Sequence, residues 1–79
     1  MSVTVEFTVE PFTEGSPGRH VDAALAAVRA EGVELEVGPF GSAFTCSAEQ
    51  AGRIIDRLTV DAVAVGATRV SVQVTVAAP

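Results

Sequence analysis

Only two side chains in this chain, His20 and Cys46, are of the types that most readily serve as general base or nucleophile near neutral pH. His20 would need a cysteine or serine beside it, and the spacing places none there. It reads as a solvated residue in the first turn of a helix, and Cys46 reads as a small buried hydrophobe on a strand. A lone cysteine leaves no internal disulfide, and no Cys/His cluster has the spacing of a metal site. The stretch Gly38-Pro39-Phe40-Gly41 could offer backbone amides to a phosphate. It joins strand to strand, however, whereas phosphate loops open a helix and use its dipole. No catalytic residue, metal or cofactor is expected.

The remaining polar chemistry lies on alternating segments. Val3, Val5, Phe7 and Val9 alternate with Thr4, Glu6, Thr8 and Glu10, the pattern of a strand with one buried and one polar face. Pro11 stops that strand, and Ser16 followed by Pro17 predicts an N-cap with proline at the first helical position. Val21, Ala24, Leu25 and Val28 then form a narrow helical stripe that Gly32 is placed to end. Val33, Leu35 and Val37 alternate with Glu34 and Glu36 in a second strand. After a four-residue turn, Ser42, Phe44 and Cys46 alternate with Ala43 and Thr45 in a third. Gly38 and Gly41 are expected to supply backbone angles that residues with a Cβ avoid. Ser47-Ala48-Glu49-Gln50 has the form of a capping box, and Ala51, Ile54, Ile55, Leu58, Ala62 and Val65 continue along one face of a second helix. Gly66 ends it, and Val70, Val72, Val74 and Val76 alternate along the last strand.

The order β-α-β-β-α-β is the split βαβ of ferredoxin-like α+β folds: a four-stranded antiparallel sheet with two helices on one face. Residues 1–79 form one domain of this kind. The first and third strands are expected in the centre, the fourth beside the first and the second beside the third. The face away from the helices then carries Thr4, Glu6, Thr8, Glu34, Glu36, Thr45, Ser71, Gln73 and Thr75, with Glu6, Thr8 and Thr45 near its middle.

Composition narrows what that face can meet. Ten acidic residues oppose five arginines and no lysine, giving a net charge of −5. Nucleic acid and anionic membrane surfaces both call for a basic face, and none is present. RNA-recognition modules share this strand order but read bases with aromatics on the open sheet face. Here Phe7 and Phe44 belong to the core face, and threonine, glutamate and glutamine occupy the other. Acylphosphatases, on the same fold, need an arginine near the first loop and an asparagine on the sheet; Arg19 is present and asparagine is absent. No apolar run approaches the length of a membrane span, and the N-terminal residues lack the basic start and apolar run of a signal peptide, so a cytoplasmic protein is expected. The 48% hydrophobic content and mean hydropathy of +0.41 are high for so short a chain and imply apolar surface left for a partner subunit. On these grounds the polar face is either a solvated surface that resists aggregation or a shallow site completed by a second subunit. In the second case Glu6 accepts hydrogen bonds from an amine or offsets a cation.

Three segments carry a resemblance to a known family. Val5-Glu-Phe-Thr-Val-Glu-Pro11, the hairpin Glu36-Val-Gly-Pro-Phe-Gly-Ser42 and Gly66-Ala-Thr-Arg-Val70 resemble the thiamine-binding, YkoF-like proteins, a likeness running from about Val3 to about Val76. The resemblance implies a non-catalytic binder of thiamine or its hydroxymethylpyrimidine portion, assembled as a dimer or tetramer and associated with thiamine salvage or transport. Glu6 and Thr8 match the family's Glu-x-Ser/Thr on the first strand, and Gly41 with Ser42 match its Gly-Thr. For such a ligand, Glu6, Thr8, Ser42 and Thr45 would complement the aminopyrimidine, and Phe40 would stack on a flat ring. The rival expectation is a structural or regulatory domain whose hairpin and sheet face serve only homo-oligomer assembly or docking.

Overall fold

The computed structural model describes residues 1–12, 16, 18–39 and 41–77. It has the element order β1 (Ser2–Glu10), α1 (Arg19–Arg29), β2 (Leu35–Gly38), β3 (Gly41–Ser47), α2 (Ala48–Ala64) and β4 (Arg69–Val76). The four strands form one antiparallel sheet in the order β2-β3-β1-β4, as the sequence pattern predicts. The helices pack against each other on one side of it, α1 over β1 and β2, α2 over β1, β3 and β4.

Alternation along β1 sets the two faces. Val3, Val5, Phe7 and Val9 are buried beneath the helices, where they meet Val21, Ala24, Leu25 and Val28 of α1 and Ala51, Ile54, Leu58 and Ala62 of α2. Burying each large side chain in that set contributes roughly 1.5–3 kcal/mol. Phe7 and Phe44 meet edge to face across the β1–β3 pair, with ring centroids 6.0 Å apart.

α1 begins two residues later than the Ser16-Pro17 signal predicts. Gly18 is its N-cap at φ 88°, accepting from the Asp22 amide at 3.2 Å, and no side chain among the described residues caps this end. A positive φ at Gly18 turns the chain out of the helical path, so Ser16 does not cap it; Pro17 lies outside the described residues. The His20 ring, in the first turn as expected, donates from Nε2 to the Pro11 carbonyl and ties α1 to the end of β1. Past Arg29 the chain turns through Gly32 at φ 75°. β2 starts only at Leu35 because the chain is still leaving that turn; Val33 packs on the core outside the ladder, and Glu34 lies outside it too.

The second helix is punctuated at both ends. Ser47 Oγ accepts from the Gln50 amide at 3.1 Å, but the Gln50 side chain does not return to close the capping box. It donates instead to the Glu31 carbonyl at 3.2 Å, joining the start of α2 to the turn after α1. At the other end Ala67 donates to Ala62 O at 3.0 Å and Gly66 to Val63 O at 3.2 Å, with Gly66 at φ 111°. That pair of bonds is the Schellman motif, and it needs the left-handed residue that glycine supplies.

The β2–β3 turn is tighter than the four residues expected. Gly38 and Gly41 pair across the ladder, leaving Pro39 and Phe40 between them. Neither glycine has a positive φ, so the reason for glycine here is space rather than backbone angle. A Cβ on Gly41 would stand 3.1 Å from Thr8 Cγ2 and 3.2 Å from the Phe7 carbonyl, and one on Gly38 3.1 Å from the Gly41 carbonyl.

Loss of the Ser47 cap should be measurable. Ser47→Ala is expected to lower unfolding stability by about 1 kcal/mol in urea denaturation while leaving the far-UV dichroism of the folded state unchanged.

Candidate functional site

The register of β1 with its neighbours decides which polar residues stand together. Glu6 lies opposite Ala43 on β3 and Gln73 on β4, and Ala43 lies opposite Glu36 on β2. Glu36, Ala43, Glu6 and Gln73 therefore form one row across the whole open face. The next row toward the hairpin is Gly38, Gly41, Thr8 and Ser71. Two glycines and an alanine leave the centre of these rows low, and a shallow depression of about 700 Å³ lies there. Neighbouring strands are about 4.8 Å apart, so Glu6 and Glu36 flank the Ala43 floor at roughly 10 Å between Cα atoms.

Its electrostatics follow from what the carboxylates lack. Glu10 is paired with Arg69 at 3.6 Å, and Arg57 with Asp61 at 2.9 Å. Among the described residues no arginine comes within salt-bridge distance of Glu6 or Glu36. The depression is a neutral backbone floor between two uncompensated negative charges, with the Gln73 amide and the Thr8 and Ser71 hydroxyls at its margin. It offers hydrogen-bond acceptors, a few donors and attraction for a cation.

Glu6, Thr8, Gly41 and Ser42 all border this depression. Ser42 pairs opposite Phe7 and Val37, and so belongs to the helix-side face. Thr45 is not among the lining residues; it pairs with Thr4, their hydroxyls 3.2 Å apart, on the side of Glu6 away from the hairpin. Phe40 lies outside the described residues. Sequence reasoning put Glu36 and Gln73 on the polar face without marking them as site residues, and it passed over Ala43. The row joining them appears only once strand register is known.

His20 and Cys46 stand far apart. Cys46 pairs with Val3 near the start of β1, while His20 bonds Pro11 just past its end. Eight residues of strand separate those points, roughly 26 Å. Burial pushes the Cys46 thiol above its usual range, and the positive charge of Arg53 partly opposes the shift. Among the described residues no group of three histidine, cysteine or acidic side chains is placed to hold a metal. Nor is any helix among them long and apolar enough to cross a membrane.

A βαββαβ chain with this strand order is a ferredoxin-like α+β domain, distinguished here by an acidic hollow on its open sheet face. Residues 5–78 match the family model described as thiamine-binding protein, and the chain belongs to that family. Solved structures agree on the fold. Protein SP2199 from Streptococcus pneumoniae superposes with a TM-score of 0.81 at 21% identity, over 99% of this chain and 89% of the other. The "putative thiamine biosynthesis/salvage protein" of Thermotoga maritima gives a TM-score of 0.71 at 25% identity, over 95% and 81%. A domain of unknown function, DUF77, from Bacillus cereus gives 0.70 at 25% identity, over 94% and 72%. No curated protein matches the chain.

The state of Cys46 can be read chemically. Its alkylation by iodoacetamide should accelerate only at a pH above that of a free cysteine in solution, because the neutral thiol is favoured. Arg53→Ala should move the inflection higher still. A pH–rate profile followed by mass spectrometry checks both.

Proposed function

We propose that this protein is a non-catalytic binder of thiamine or its hydroxymethylpyrimidine portion, and that the ligand sits at the hairpin end of the open sheet face. The observation that carries the reading is the pair of uncompensated carboxylates, Glu6 and Glu36, on either side of a low Gly41–Ala43 floor in a member of the thiamine-binding family. A thiazolium cation is attracted by those charges, and an aminopyrimidine finds an acceptor and a hydroxyl at Glu6 and Thr8, with the backbone of Ser42 at the margin. Phe40 is proposed to stack on a ring there, and Thr45 to contribute from the neighbouring row. The wide separation of His20 and Cys46 supports binding over catalysis. A cytoplasmic setting suits a chain whose one cysteine is free.

Self-association as a dimer or tetramer belongs to the same proposal. Val74 and Val76 on the edge strand β4 are 48% and 58% exposed, and Val60 and Val63 of α2 are also exposed. An edge strand with apolar residues and unpaired backbone groups favours pairing with a second copy. That patch also favours the rival reading of an assembly domain without a small-molecule ligand, and binding data separate the two.

Titration calorimetry of the purified protein with thiamine and hydroxymethylpyrimidine should give a saturable heat. Glu6→Ala should weaken thiamine binding at least about tenfold with an unchanged melting temperature; no heat and no thermal shift at millimolar ligand would refute the reading. Sedimentation velocity should show a species larger than the 8.1 kDa monomer, and Val74→Glu combined with Val76→Glu should reduce it to the monomer.

A further inference from the structure

Glu6 and Glu36 are exposed on the open face, and Ala43 lies between them in the ladder. Strands about 4.8 Å apart put any group seated over Ala43 within about 10 Å of each carboxylate. That distance is about one Debye length at about 0.1 M salt, so both carboxylates act on the charge of such a group. A cation there is drawn in, and an anion is pushed out.

The groups that usually hold a phosphate stand elsewhere. Proteins bind phosphate with arginine forks, with lysine, or with amides at a helix N-terminus. The chain has no lysine. Of its arginines, Arg19 and Arg29 belong to α1, and Arg53 and Arg57 to α2, helices that pack on the other side of the sheet. Arg69 is on β4, opposite Glu10, one row beyond Thr8 and Ser71 and two rows, roughly 13 Å, from Glu6. It stands 3.6 Å from the Glu10 carboxylate and does not line the hollow. Neither helix N-cap, Gly18 or Ser47, lines it either.

Resting on the thiamine reading, we propose that Glu6 and Glu36 make the hollow selective for the unphosphorylated ligand and reject phosphate esters of the same molecule. Thiamine carries a positive charge on its thiazolium. Esterifying the hydroxyethyl arm adds about 1.5 to 2 negative charges at neutral pH, so the net sign of the ligand reverses. The arm is short and leaves the very ring that the carboxylates attract. Wherever that ring lies between Glu6 and Glu36, the phosphate lies within about a Debye length of them. No steric gate is needed, because the charges that draw the cation also repel the ester.

Calorimetric titration of wild-type, Glu36→Gln and Arg69→Gln proteins with thiamine, thiamine monophosphate and thiamine diphosphate tests this. At low ionic strength wild-type protein should bind the monophosphate at least about tenfold more weakly than thiamine, and the diphosphate more weakly still. Salt supplies a readout free of any variant: the Debye length falls from about 30 Å at about 0.01 M to about 3 Å at about 1 M, and the preference should shrink at least about threefold over that range. Glu36→Gln should shrink it at low salt by a similar factor, weakening thiamine and strengthening the monophosphate, with an unchanged melting temperature because the side chain is exposed. Arg69→Gln should leave the preference within about twofold of wild type. A monophosphate bound within about twofold of thiamine, or more tightly, would overturn the selectivity while thiamine binding stands. So would a preference indifferent to both salt and Glu36→Gln, which belongs to shape rather than charge. Loss of the monophosphate alone in Arg69→Gln would overturn it as well, since the phosphate would then sit on that arginine. Failure of wild-type protein to bind thiamine at all would overturn both readings.

Discussion

β1 is bonded on both sides, to β3 and to β4, and each of its residues is committed to one face or the other. A slip of one residue on either side would carry Val5 and Phe7 into water and Glu6 under the helices. The core resists that slip: Val5 is fully buried, as are Ile54 and Leu58 of the helix packed above the sheet, and the Phe7–Phe44 contact joins the two central strands. Glu6 and Ala43 keep to the open face because Val5, Phe7 and Phe44, one position away, are held in the core, and the register of β2 and β4 brings Glu36 and Gln73 into the same row. The open-face hollow is thus a consequence of packing on the opposite side of the sheet.

The hairpin is the second constraint. Its glycines permit a close approach of β3 to β1, since Thr8 Cγ2 and the Phe7 carbonyl occupy the space a side chain on Gly41 would take. The same absence of side chains lowers the floor of the open-face hollow. A substitution at Gly41 therefore acts on strand pairing and on that floor together, whereas one at Ala43, on the open face, acts on the floor alone.

Charge is distributed unevenly over this frame. Glu10, Asp61 and Glu31 have arginine partners on the exposed surface, each contributing little to stability. Glu6 and Glu36 have none among the described residues, and their field stays available to a ligand. An acidic protein whose ion pairs involve Glu10, Glu31 and Asp61 rather than Glu6 and Glu36 presents this part of the sheet to cations.

Local pattern was enough for element type and the two faces of β1, because alternation and helical stripes report burial directly, and the βαββαβ order of those elements then implied the strand order. The family resemblance, too, was legible in three short segments, and the match over residues 5–78 bears it out. Sequence alone misplaced the start of α1, where Gly18 overrides the Ser16-Pro17 signal, and misread the hairpin glycines as turn residues when they are paired strand ends. Only the tertiary structure decided that Glu36 and Gln73 stand in line with Glu6 across Ala43, and that Thr45 lies apart from the hollow. The reason is physical: alternation tells which face a residue occupies, but its neighbours across a sheet depend on register, and register is set by the packing of residues distant in the chain.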